Sequence, residues 1–117
     1  MCIRDSFIDA HAEQIALSKE LGAGAIELHT GTYANTSGAE REKQLELLTE
    51  GTQLGKNAGL AVHAGHGLTY SNVLPVARIA DMEELNIGHS IVARSIFVGF
   101  QQAVREMKEL CSSAGNR

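Results

Sequence analysis

Four times along the 117 residues a short apolar segment with alternating polarity runs into a polar or glycine-rich loop, and a stretch with helical periodicity follows. Strands separated by helices cannot pair through hairpins, so this order calls for parallel strands joined by right-handed crossovers. Phe7-Ile8 reads as the end of the first strand, Ala25–Thr30 as the second, Leu60–Gly65 as the third and Leu85–Gly88 as the fourth. Asp9 is placed to cap a first helix reaching about Leu21, with Ala12, Ile15 and Ala16 as its stripe and Gly22-Ala23-Gly24 as its stop. Gly31-Thr32-Tyr33-Ala34-Asn35 reads as loop. Ser37-Gly38-Ala39-Glu40 has the capping-box spacing and opens a helix to about Ala58 on a Leu47, Gly51, Leu54, Ala58 face. Asn72 heads a short helix with Pro75 in its first turn and a Val73, Val76, Ala77, Ala80 stripe. After His89-Ser90 the chain is helical; Gly99 interrupts it, and Phe100, Val104, Met107 and Cys111 mark the face of a terminal helix ending near Ala114-Gly115.

Two architectures meet that order, a doubly wound sheet and part of a (β/α)8 barrel. In a sheet wrapped on both sides both strand faces are apolar. Here Glu27, His29, His63 and Asn86 share one face with Ala61, Gly65 and Gly88, which fits a barrel lumen widening to a polar mouth. Neither a dinucleotide fingerprint nor a P-loop is present, since Gly22-Ala23-Gly24 precedes a strand instead of following one. The expected fold is therefore α/β, a partial (β/α)8 TIM barrel.

With 44% apolar and 21% charged residues the chain has the balance of one soluble globular domain. No run approaches the roughly 18 apolar residues of a membrane span, and no signal-peptide pattern opens the sequence, so no membrane partner is expected. Ten basic residues are scattered against fourteen acidic ones, for a net charge of −4, which leaves no electrostatic footprint for nucleic acid. Cys2 and Cys111 lie at opposite ends without metal-ligand spacing, so a reducing, cytoplasmic setting is expected. Met1-Cys2-Ile3-Arg4-Asp5-Ser6 is a poor strand start. These residues match what a transposase sequencing adapter, ATG TGT ATA AGA GAC AG, would encode, and that origin is the expectation for them. Residues 1–6 are accordingly read as a non-native segment and 7–117 as the domain.

If the apolar strand faces pack on the helices, Glu27, His29, His63 and Asn86 project inward near the strand C-termini. His66 and His89 then stand on the loops just beyond, where barrel enzymes hold their sites. Partly buried carboxylate and imidazole groups cost a few kcal/mol unless paired, so such a cluster implies catalysis or ligand binding. His66, between Gly65 and Gly67, suits a general acid or base near neutral pH. Gly88-His89-Ser90 leads into a helix N-terminus, whose free N–H groups favour a phosphate.

Three blocks carry a resemblance. Ala25-Ile26-Glu27-Leu28-His29-Thr30-Gly31, then Ala64-Gly65-His66-Gly67-Leu68-Thr69-Tyr70 with Asn72-Val73, then Glu84-Leu85-Asn86-Ile87-Gly88-His89-Ser90, resemble the pyridoxine 5′-phosphate synthase family in the same order. The resemblance covers Phe7 to the terminal helix and corresponds to the C-terminal half of the family's barrel, about its last four βα units. It implies a condensation of 3-amino-2-oxopropyl phosphate with 1-deoxy-D-xylulose 5-phosphate to pyridoxine 5′-phosphate, phosphate and water, with no metal and no organic cofactor. By position it implies His66 as proton donor and Glu27 as stabiliser of charged intermediates. Gly67, Gly88 and His89 match binders of the aminoketone phosphate. It also implies a homo-oligomer at full length.

His63 departs from the family's Asn, adding a titratable group to the lumen. The family's other general bases belong to the absent half, so the fragment alone is expected to be inactive. Two rival readings stand beside the synthase. His63-x-x-His66 with Glu27, His29 and His89 offers nitrogen and oxygen ligands for a metal-dependent hydrolase or lyase. A half-barrel used only for assembly is the other.

Overall fold

Alternation along each strand decides which side chains the sheet hides, and the register decides which of them meet. The computed structural model describes residues 3–115. Strands β1 (Asp5–Ile8), β2 (Ala25–His29), β3 (Ala61–Gly65) and β4 (Glu84–Asn86) form one parallel sheet in the order β1-β2-β3-β4. Between and after them run α1 (Ala12–Glu20), α2 (Gly31–Ala34), α3 (Gly38–Asn57), α4 (Val73–Ala77), α5 (His89–Val98) and α6 (Phe100–Ser113). Ile26, Leu28, Val62 and Ala64 lie on one face and are fully buried in the apolar core with Leu48, Val73, Val76 and Met107. On the opposite face the register sets Phe7, Glu27, His63 and Glu84 across the four strands. Among the described residues no helix is long and apolar enough to cross a membrane.

Several local expectations shift. Asp9 does not cap α1: its N–H is taken by the Gln14 side chain at 2.9 Å, and His11 occupies the N-cap position without a side-chain bond. The delay follows from packing, because Ala10 first seats against α3 at Gly51, where an added Cβ would lie 3.0 Å from the Ala10 Cβ. α1 then buries Ile15 and Ser18 against α3 and β1, leaving Ala12 and Ala16 exposed.

The buried stripe of α3 is Leu48, Gly51, Thr52 and Gly55, while Leu47 and Leu54 are 37% and 45% exposed. Size explains the rotation. A Cβ at Gly55 would come 2.7 Å from Val62 Cγ2 and 2.9 Å from Ile26 Cδ1, so only glycine there lets the helix backbone close on the sheet. Thr52 is accommodated because its hydroxyl donates to the Leu48 carbonyl at 2.7 Å. Ser37 is the N-cap, but the capping-box bond does not form.

Gly31–Ala34 is a helical turn instead of a loop. Tyr33 anchors it, 2% exposed, with its hydroxyl donating to the Asn72 carbonyl at 2.7 Å. Burial pushes the Tyr33 phenol above its ordinary pKa and the nearby Arg41 guanidinium pulls it back, so it remains a neutral donor. In the α4 region Ile79 is buried and Ala80 is exposed beyond the helix end. On α6 the buried pair is Ala103 and Met107; Phe100 and Val104 are 64% and 38% exposed. The small Ala103 faces inward, where its carbonyl accepts the Tyr70 hydroxyl at 2.7 Å. β4 ends at Asn86 because Gly88 already serves as the N-cap of α5.

Of the six residues set apart in the sequence, Asp5 and Ser6 pair with Ala25 and Ile26. Met1 and Cys2 lie outside the described residues.

Candidate active site

The site is built where β3 ends. Gly65 closes the strand, and the chain then passes through His66 at φ 91° and Gly67 at φ 75°. A left-handed backbone is ordinary for glycine and strained for histidine, by about 1–3 kcal/mol. Two buried polar side chains hold it. The Thr30 hydroxyl donates to the His66 carbonyl at 2.5 Å, and the Thr30 N–H donates to the Gly65 carbonyl at 2.9 Å. Asn72 donates to the Gly67 carbonyl at 3.1 Å and accepts the Thr69 N–H at 2.7 Å. Gly67 is also hemmed in: a Cβ there would come 2.7 Å from that of Ala34.

Glu27 projects from β2 across the face of Gly65. A Cβ at position 65 would overlap Glu27 Oε1 and lie 2.8 Å from the Asn86 carbonyl oxygen. The absence of a side chain at Gly65 is therefore what gives the Glu27 carboxylate its place. From β4 the chain enters α5 through Gly88 and His89, and Ser90 donates to the Leu68 carbonyl at 2.8 Å, tying the start of α5 to the loop after His66. Ser90 is thus a bridge between two loops and not the cap of α5.

Glu27, His66, Gly67, Gly88 and His89 line one cavity of about 470 Å³, with Phe7, Leu68, Thr69, Asn86, Ile87 and Ser90 completing the wall. That volume suits a small metabolite. The carboxylate, the imidazole and the α5 N-terminus all face the same space at the C-terminal ends of parallel strands, the end at which (β/α) folds carry their chemistry.

His29 and His63 behave differently. The His29 ring stacks on His66 at 4.9 Å between centroids and meets Phe7 edge-on at 5.3 Å, with Nδ1 3.8 Å from an Asp9 carboxylate oxygen. It supports the wall from behind. His63 points into no shared space with His66. Its Nδ1 lies 3.3 Å from Asp5 Oδ2 and 3.8 Å from Glu84 Oε1, toward the opposite end of the strands. The ligand set imagined for a metal-dependent hydrolase is thus divided, and among the described residues no three His, Cys, Asp or Glu side chains gather as a metal site.

Thr30 and Asn72 were not among the candidate site residues. A signal for Thr30 was present, since it has the parity of Ile26 and Leu28 and so is a polar residue on the apolar face of its strand. Asn72 carries no signal beyond its capping position and its place beside the second block of the resemblance.

The chain matches the model of the family described as "Pyridoxal phosphate biosynthesis protein PdxJ" over residues 3–113. It is 55% identical, over 92% of its length, to the pyridoxine 5′-phosphate synthase of Prochlorococcus marinus (strain MIT 9312). It is 57% identical over 89% to that of Parasynechococcus marenigrum (strain WH8102), and 53% identical over 92% to that of Sulfurihydrogenibium sp. (strain YO3AOP1). The alignments take in 45%, 42% and 44% of these relatives, so the chain spans less than half the length of the curated relatives it matches. With a family match running from residue 3 to residue 113 and more than half of the aligned positions identical, the chain belongs to the pyridoxal phosphate biosynthesis protein PdxJ family.

Proposed function

We propose that this chain is the C-terminal half of a pyridoxine 5′-phosphate synthase. It supplies about the last four βα units of a (β/α)8 barrel that condenses 3-amino-2-oxopropyl phosphate with 1-deoxy-D-xylulose 5-phosphate. The products are pyridoxine 5′-phosphate, phosphate and water. The observation that carries the reading is the single cavity in which Glu27 and His66 face the Gly67, Gly88 and His89 backbone. Residues 1–6 are proposed to be a translated adapter preceding the domain at 7–117, which the codons of the coding DNA decide.

The roles follow from chemistry. A phosphate at the N-terminus of α5 meets N–H groups that have no intrahelical partner, reinforced by the helix dipole. Gly88 carries no side chain, and the space beside its Cα is open, with nothing within 4 Å of a Cβ built there. With the phosphate anchored, the carbon skeleton of the aminoketone extends toward His66 and Glu27. His66 donates a proton to a departing oxygen during the eliminations. Glu27 lies beside the positive charge that an imine-forming sequence develops, and a carboxylate held in place before the charge appears stabilises it without reorganisation. The sequence of steps uses acids and bases and calls for no metal or organic cofactor. The remaining bases and most pentulose contacts would come from the other half of the barrel. A cytoplasmic homo-oligomer at full length completes the proposal.

Joining residues 7–117 in frame behind the N-terminal portion of the Prochlorococcus marinus relative tests it. The chimera is expected to form pyridoxine 5′-phosphate from the two substrates, and the 117-residue chain alone to form none. A folded chimera without product, under conditions where the intact relative turns over, contradicts the reading.

A further inference from the structure

We infer that Thr30 is a positioning residue for His66, an inference that rests on the reading of His66 as proton donor. Thr30 sits at the C-terminal end of β2 with no exposed surface, yet its side chain is polar. Both of its donors are committed to the neighbouring loop: the N–H to the Gly65 carbonyl and the hydroxyl to the His66 carbonyl. They grip the two carbonyls that flank the His66 Cα. The residue between them has φ 91°, a conformation that a histidine between two glycines has no intrinsic reason to keep.

Without the hydroxyl, the Gly65-His66-Gly67 segment has every freedom to relax toward negative φ, and the imidazole would swing on its Cα. The Thr30 methyl group is buried with the rest of the residue, but a methyl group cannot hold a carbonyl. The hydroxyl therefore sets where the proton of His66 is delivered. Geometry of this kind matters at the level of catalysis, where a misplacement of about 1 Å costs roughly a hundredfold in rate.

Thr30→Val keeps shape and volume and removes the donor; Thr30→Ser keeps the donor and removes the methyl group. Both are made in the active chimera of residues 7–117 with the N-terminal portion of the relative. Thr30→Val is expected to lower kcat by about a hundredfold, with KM for the aminoketone phosphate changed by less than about tenfold, since Gly88 and His89 at the start of α5 still hold the phosphate when Gly67 shifts. Thr30→Ser is expected to retain kcat within about threefold of the parent although it loses packing.

Retained kcat in Thr30→Val, or loss in Thr30→Ser equal to that in Thr30→Val, overturns the inference. A thermal melt accompanies both, because a purely structural residue would lower the melting temperature in both variants without dividing them by kcat. If the unsubstituted chimera forms no product, the functional reading fails first and takes this inference with it. If the chimera is active, the outcome bears on Thr30 alone.

Discussion

Replacing His66 by alanine in the assembled barrel is expected to lower kcat by about 10²–10⁴-fold, the range that a positioned general acid contributes. The fold should survive. The imidazole lies at the cavity wall, exposed and outside the apolar core, so its removal takes little buried area away. His66→Gly sharpens the test because the backbone at this position has φ 91°. Glycine adopts that conformation freely, so the Gly variant should be more stable than the Ala variant by about 1 kcal/mol while being equally inactive. Chemical denaturation of both variants beside a turnover assay reads the two effects separately. A kcat within tenfold of the parent in either variant removes His66 from the role of proton donor.

Gly65→Ala is expected to be nearly as damaging, by a different route. The new Cβ would occupy the space of Glu27 Oε1 and crowd the Asn86 carbonyl at 2.8 Å, so the carboxylate has to leave its place and β4 has to yield. Overpacking of this sort costs about 1–3 kcal/mol of stability. The displaced carboxylate should lower kcat by about a hundredfold. Glu27→Gln should give a similar loss of kcat without the loss of stability, since the amide retains the shape of the acid. If Gly65 acts by housing Glu27, the double variant loses no more activity than either single one, because residues coupled through one group are not additive. Additive losses would show that Gly65 acts independently of the carboxylate.

Much of the architecture was legible because period-two and period-3.6 patterns are strong in this chain. The parity of Ile26 and Leu28 against Glu27 and His29, and of Val62 and Ala64 against His63, separates the core face of the sheet from its polar face, although of the three polar residues only Glu27 lines the cavity. What escaped were contacts set by size. The periodicity puts Gly51 on the buried face of α3, as observed, but pairs it with Leu47 and Leu54 because leucine is the apolar residue, whereas the helix turns Leu48, Thr52 and Gly55 to the sheet beside it for close approach. The same preference misplaced Phe100 and Val104 against Ala103 on α6. Tyr33 escaped because a polar string reads as loop, and only the distant Asn72 carbonyl gives its hydroxyl a buried partner.

The candidate site was legible through glycine. Gly65 marks the place where the Glu27 carboxylate comes close to the backbone, and Gly67 and Gly88 mark two bends of the chain along the cavity wall, the first packed against Ala34 and the second open. His63 was not separable from His66 by sequence, because the carboxylates that engage it come from β1 and β4, 58 and 21 positions away. Thr30 shows the converse case, in which the backbone it holds is 36 residues distant and no local pattern connects them.

The most direct measurement of the central claim is a crystal structure of the assembled barrel with bound 3-amino-2-oxopropyl phosphate. The account predicts the phosphate against the backbone N–H groups of Gly67, Gly88 and His89, with the carbonyl end of the molecule turned toward His66 and Glu27. A phosphate bound away from the start of α5, or a ligand whose reacting carbons face neither His66 nor Glu27, would contradict it.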